Sequence, residues 1–330
     1  MSTMTTGVLS TEVKTLYERR LLSRALPRLL HTRFAEAPIA ISGLGNLEWR
    51  KFPAMSANTT ALVEGVTPAP SSVSVTSITA TPLWYGSFIR HSDQLQFTAF
   101  DPVISIFSEL LGEQAGLSLD TIARDDYIAG ATVRYANGVA ARTDIDSTSD
   151  KISYKDIVNA IGALMAANAL PTANGRYVAI VHPYTLATML QDSTLSTLFQ
   201  NADVRGDANR SISGYIGTFM MTDWYVTSNA KTYASNTTVY TALFFGKEAV
   251  GVVGISNYIG REQDMGATTE FTMTGKTVKP VDIIVKPLGS SGSEDPLEQR
   301  GTIAWKASQD TAVLNSTWLV SLEHATTFSA

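Results

Sequence analysis

A few stretches of this 330-residue chain carry residue types that could do chemistry. His182 follows the apolar run Tyr177-Val178-Ala179-Ile180-Val181, and a histidine at the end of a strand is a candidate base. No G-x-S-x-G and no cysteine accompanies it, so a turn histidine is the plainer reading. Thr274-Gly275-Lys276-Thr277 resembles the end of a phosphate loop, but the first glycine of that motif would fall at Glu270. The cradle of backbone N–H groups is therefore missing. Asp144, Asp146, Thr148 and Asp150 alternate like calcium-loop ligands, yet the central Gly and the terminal Glu are absent. Asp125 and Asp126 are neighbours on an expected helix and point to different sides, a poor geometry for sharing a proton. Gly43-Leu44-Gly45 lacks the third glycine of a dinucleotide site. His31, His91, His182 and His324 are scattered, with no H-E-x-x-H. No catalytic residue, cofactor or metal site is expected. A soluble α/β enzyme resting on His182 stays the minor alternative.

Composition narrows the class. Apolar residues make up 44% of the chain, ordinary for a folded protein, and no apolar run nears the ~20 residues that span a bilayer. Met1 to Ser10 are small and polar, so no secretory leader is expected, and no membrane contact. The net charge of −5 is uneven. Residues 1–51 hold eight Lys/Arg against four acids, whereas the remainder holds 17 against 26. Arg20, Arg24 and Arg28 form a basic row at i, i+4 spacing, suited to a polyanion or to a neighbour's acidic face. A solvated helix face is the alternative.

The elements around these residues are unusually long. Asp101-Pro102 should open a helix that runs to about Gly130, with Asp101 as cap. Val103, Ile104, Phe107, Leu110 and Leu111 form its apolar stripe, continued by Ala115, Leu119 and Ile122. Gly112 and Gly116 lie off the stripe. They mark either tolerated weak spots or the close approach of another backbone, such as that of a neighbouring subunit. Leu47–Phe52 and Val73–Thr79 read as two arms of a hairpin whose tip, 53–72, is rich in Ser, Thr, Ala and Pro. Trp84–Arg90 reads as a further strand. An isolated hairpin is marginal in water, so it must lie on something. Residues 11–35 suggest a helix broken at Pro27, then a short second helix at 29–34. Ser153 and Asp156 suggest a capping box for a helix with Ile157, Ile161, Leu164 and Met165 inward. Strands are expected at Tyr177–Val181, Phe219–Val226, Val239–Phe245, Val250–Val253, Val281–Val285 and Thr302–Lys306. A last strand of about twelve residues is expected from strict alternation between Ala312 and Leu322.

Several segments resemble the major capsid proteins of tailed bacteriophages, in the family typified by phage N-four. They are Tyr17-Glu-Arg-Arg-Leu-Leu-Ser-Arg-Ala-Leu-Pro27, Leu47-Glu-Trp-Arg-Lys-Phe-Pro53 and Leu62-Val-Glu-Gly-Val-Thr-Pro-Ala-Pro70. Arg90-His-Ser-Asp93, Asp120-Thr-Ile-Ala-Arg-Asp125, Ile284-Val-Lys-Pro-Leu-Gly289, Asp295-Pro-Leu-Glu-Gln-Arg300 and Ala304-Trp-Lys306 follow in the same order. The resemblance implies an α+β chain with the Hong Kong 97 capsid fold. Residues 1–45 would be an N-terminal arm and 46–90 an extended β-hairpin loop. Residues 91–151 and 276–330 would form a peripheral domain with a long spine helix, 101–130, and long antiparallel strands. Residues 152–275 would form an α/β axial domain.

The implied function is structural, a shell protein and not an enzyme. Hexamers and pentamers would close an icosahedral head around double-stranded DNA, assembled in the host bacterial cytoplasm. Portal, scaffolding or decoration proteins are implied as further partners. Arg20, Arg24, Arg28, Glu64, Arg90, Gly112 and Gly116 are the candidate intersubunit contacts. An encapsulin-like compartment is the alternative within the fold. The archetype links subunits covalently through a lysine of the extended loop, but residues 52–100 here contain no lysine, so that chemistry is not expected. The chain opens on the arm without a charged scaffold-like extension, so any scaffold should be a separate protein.

Overall fold

A 28-residue helix, α2 (Val103–Gly130), packs against two different sheets and so joins them. The computed structural model describes Leu21, Arg24 and residues 29–36, 46–53, 55–62, 64–98, 102–172, 175–197, 215–254, 271–273, 276–278, 281–289 and 295–328. Pro102 stands at the cap of α2, and Asp101, the expected cap, lies outside the described residues. The buried seam runs through Ser108, Leu111, Gly112, Ala115, Gly116, Leu119, Ala123 and Tyr127. Leu110, expected on the stripe, is exposed instead. The stripe is displaced because the glycines belong to it. A Cβ on Gly112 would stand 2.4 Å from the backbone oxygen of Leu21. Another backbone does approach there, and it is this chain's own N-terminal segment.

Gly112→Ala should therefore destabilise the protein by about 1–3 kcal/mol, although alanine is the better helix former. Thermal unfolding checks this, and a raised midpoint would remove the contact from the account.

The first half of α2 covers a four-stranded antiparallel sheet. At its centre is β14 (Arg300–Val313), paired with β3 (Leu83–Ser92) and with β13 (Asp282–Lys286). Its far end pairs with β10 (Val250–Val253). Leu111, Ala115 and Leu119 pack on Ile303, Trp305 and Ala307, and each buried leucine or isoleucine among them contributes roughly 1.5–3 kcal/mol. A short helix, α1 (Asp93–Thr98), follows β3. The hairpin strands β1 (Leu47–Lys51) and β2 (Thr76–Ala80) pair antiparallel from Leu47↔Ala80 to Lys51↔Thr76, as expected.

The second sheet has seven strands in the order β4-β15-β9-β5-β7-β6, with β8 also on β9. These are β4 (Thr132–Tyr135), β5 (Tyr177–Val181), β6 (Tyr215–Phe219), β7 (Thr222–Val226), β8 (Thr232–Ala234), β9 (Thr238–Phe245) and β15 (Leu319–His324). All five residues of β5 are buried, as its unbroken apolar run predicts. One face carries α3 (Tyr154–Ala166) and α4 (Pro183–Gln191) over Ala179, Trp224, Phe244 and Leu322. The other face meets Ala123, Tyr127 and Ile128 of α2. Ser153 and Asp156 make the predicted capping box, whereas Met165, expected inside, is exposed because it lies off the face of α3 that holds Ile157, Ile161 and Leu164. A small hairpin joins β11 (Phe271–Met273) to β12 (Lys276–Val278). Lys276 and Thr277 of the phosphate-loop lookalike thus stand in a strand rather than at a helix start.

Three expectations change. The strand expected from Ala312 to Leu322 is broken by a 3-10 turn, Ser316–Trp318, capped by Asn315, which carries the chain from one sheet to the other. The long strand is β14, 14 residues, where the polar Gln309 and Thr311 occupy the buried face and interrupt the apolar pattern. Phe219–Val226 is not one strand. Met220 and Met221 adopt positive φ (51° and 56°) and turn the chain between β6 and β7. Strand pairing also ignores the cuts at 151 and 275. β4 and β15 lie in the sheet of β5 to β9, while β10 lies in the sheet of β14.

Candidate assembly surface

Among the described residues the hairpin has no ladder beyond Lys51↔Thr76. Pro53, Pro68 and Pro70 supply no N–H, and Gly65 turns the tip at φ +76°. Phe52, Met55, Leu62, Val66, Val73 and Val75 all face water, Leu62 at 74% exposure. The root, by contrast, is fixed. Trp49 lies so close on Gly251 that a Cβ there would come 2.9 Å from the indole. The Thr81 N–H donates to Asp310 at 2.6 Å, and the Thr81 hydroxyl donates to Asn46. A cleft of about 500 Å³ separates Lys51, Pro53, Thr76 and Ile78 of the hairpin from Gly130, Val313, Leu314 and Ser316 of the body.

The sheet beside the hairpin has one covered face and one bare one. Tyr85, Ile89, Ile303, Trp305, Ile283 and Val285 point at α2. By alternation Trp84, Phe88, Arg90, Ala304, Ile284 and Lys286 share the opposite face. The register places Phe88, Ala304 and Ile284 side by side in one row and Arg90, Thr302 and Lys286 in the next. Lys306 stands over Trp84 at 4.3 Å from the ring centre, and Arg90 over Phe88 at 5.9 Å.

The N-terminal segment is held by a buried carboxylate. Asp120, fully buried in α2, accepts the backbone N–H groups of Leu30 and His31 at 2.8 Å each. Its other oxygen lies 2.9 Å from His31 Nδ1 and accepts from Asn229 Nδ2 at 2.8 Å. Burial alone would raise its pKa, but the charge and hydrogen bonds of His31 and the Asn229 amide together hold it below 3.8. A 3-10 turn, His31–Phe34, follows, and Glu36 then pairs with β10 through Val250 and Val252. Asp120 thereby ties the segment and the Asn229 loop to α2.

Of the residues singled out from the sequence, Arg24 pairs with Glu109 (2.9 Å) and Glu113 (3.1 Å) of its own α2. Arg20 and Arg28 lie outside the described residues. Glu64 sits at the exposed hairpin turn and Arg90 on the bare sheet face. Gly112 and Gly116 are both buried, Gly112 against the backbone of Leu21. His182 is a helix cap whose Nδ1 accepts the Tyr184 N–H, and burial lowers its pKa. Burial takes His324 down to about 4, so it is neutral at pH 7. Asp125 faces Arg124 and Lys231 while Asp126 faces Thr311, as their adjacency on a helix requires. The carboxylate of Asp150 is taken up by Asn137, Ser149 and the Asp146 N–H. Among the described residues no His/Asp/Glu group could hold a metal, and no helix is long and apolar enough to cross a membrane. Sequence reasoning missed Asp120 and the Phe88–Ile284 row. An acid one residue past Leu119 and three before Ala123 was the legible sign of the first.

The comparisons match this architecture. A family model described as phage capsid protein covers residues 75–321. No curated protein matches the sequence. The capsid of cyanophage Pam1 superposes with TM-score 0.59 at 12% identity, covering 93% of both chains. The capsid of Ralstonia phage GP4 gives 0.58 at 11% identity, covering 88% of this chain and 85% of that one. A virus-like particle from Pyrococcus furiosus gives 0.52 at 13%, covering 94% and 99%. At such identities the likeness carries the fold, and the family model carries the kinship. With long helix, hairpin and twin sheets in place, the chain belongs to the phage capsid protein family, a structural major capsid protein of the Hong Kong 97 fold.

Proposed function

We propose that this chain closes as hexamers and pentamers into the icosahedral head of a tailed phage, without catalysis of its own. The carrying observation is the hairpin. A tip with six large apolar side chains in water, on a root fixed by Trp49 and Asp310, is built to be ordered by another subunit. In this reading α2 and the β3–β14–β13 sheet form the peripheral part. The seven-stranded sheet with α3 and α4 forms the axial part at the capsomer centre, and 1–45 is the arm. Packaged DNA meets the inner surface without sequence preference, and assembly takes place in the host cytoplasm with portal and scaffold as further partners. An encapsulin-like compartment is the second reading, favoured only by the likeness to the Pyrococcus particle.

Electron microscopy of the expressed protein tests this. Closed shells or ring-shaped capsomers are expected, and a monomer at high concentration would sink it. Boiled in detergent, those shells should run as single chains, because residues 52–100 hold no lysine. A covalent ladder would point to Lys51.

A further inference from the structure

We propose that the hairpin tip of a second copy seats on the bare face of the β3–β14–β13 sheet, with its Glu64 between Arg90 and Lys286. The inference rests on the shell reading and names the surface that receives the loop. Both halves of the contact are unmet within one chain. Phe88 is 60% and Ile284 39% exposed, while Leu62 and Val66 on either side of Glu64 are 74% and 62% exposed. Phe88, Ala304 and Ile284 make an apolar row across three strands, wide enough to take two such side chains.

Charge fixes the register. Between Lys51 and Asp93 the only acid is Glu64 and the only Lys or Arg is Arg90. Arg90 and Lys286 flank Thr302 in the row beside the apolar one. Among the described residues Glu64, Arg90 and Lys286 have no ion-pair partner. An apolar–acid–apolar tip therefore faces an apolar row bordered by two cations. The complementarity is between copies, since the same residues stand exposed in each chain. Rim charges of this kind set register and partner choice more than raw affinity.

The test has two arms. Glu64→Arg alone, and Arg90→Glu with Lys286→Glu, should each lower shell yield at least about tenfold. Combining all three substitutions reverses both signs and should restore assembly. Unimpaired single-sided variants, or a triple variant that folds but does not recover, would overturn the seat. The second arm uses the absence of cysteine. Leu62→Cys and Ile284→Cys chains are made separately, assembled together and treated with a short bismaleimide. Dimer bands are expected in the mixture and not with either variant alone. Shells that form without those bands overturn the seat but leave the shell reading standing. A wild-type chain that never assembles removes the shell reading itself.

Discussion

Asp120→Ala is expected to destabilise the isolated subunit by about 3–5 kcal/mol, the largest loss anticipated from any single substitution here. The carboxylate is fully buried and meets four donors at 2.8–2.9 Å, two of them the backbone N–H groups of Leu30 and His31. Alanine would strand those groups away from water, and a stranded buried donor costs about 1–3 kcal/mol. Asp120→Asn should lose less, because an amide oxygen can still accept the two backbone bonds. The carboxyl is held below 3.8 in the folded protein, whereas in the unfolded chain it titrates near about 3.9. Its contribution is thus complete above the unfolded value and is lost as pH falls through the folded one. Wild type should lose stability steeply below about pH 4, and Asp120→Ala should show a flatter profile there. Denaturant unfolding at pH 7 and across the acid range measures both. A loss under about 1 kcal/mol at pH 7 would mean that the N-terminal segment is held by its apolar contacts, Leu29 on the α2 seam foremost.

How much of this could be read from the chain depends on whether local pattern and burial agree. They agree in β5, where an unbroken apolar run gave the strand, and in the capping box at Ser153, whereas in α2 the spacing gave the helix but not its buried face, which is displaced onto Gly112 and Gly116. The hairpin was legible for the opposite reason, since its tip has nothing with which to build a core. Pattern and burial part company in β14. Gln309 and Thr311 face inward because the Leu119 carbonyl and Asp126 accept their hydrogen bonds, so polar letters sit at core positions. The turn at Met220-Met221 uses positive φ without glycine or asparagine, which no turn signal announces. The close approach behind Gly112 was legible as an alternative, but not that the approaching backbone lies about ninety residues earlier in the same chain. Asp120 showed only as an acid on the apolar seam, and its role was not legible because its partners come from two remote segments. Candidate contacts such as Glu64 and Arg90 could be named, but their relation appears only once β3, β14 and β13 lie in register.

Replacing Ser56–Ser71 with a short Gly-Ser turn should leave a folded chain that forms no closed shells. Among the described residues none from 53 to 75 belongs to any of the four apolar cores. Among the described residues the tip's own hydrogen bonding is slight, with the Thr60 N–H donating to the Asn58 side chain. Fixing such a segment costs roughly 1–2 kcal/mol per residue, which a single chain does not offset. Shortening the loop changes closure entropy by only about 0.6 kcal/mol per halving. Thermal unfolding of the isolated subunit should therefore stay within about 1 kcal/mol of wild type. Assembly is another matter. Stable protein contacts bury on the order of 1,600 Å² in total, and a hairpin carrying Met55, Leu62, Val66 and Val73 in water offers apolar surface toward such a contact. Removing it takes one half of a repeated contact from every subunit, so the deficit multiplies around each ring and between rings. Capsomers at most are expected by electron microscopy. Shells of wild-type size from the shortened chain would show that the tip does not join subunits, and that the exposed apolar residues serve something other than closure.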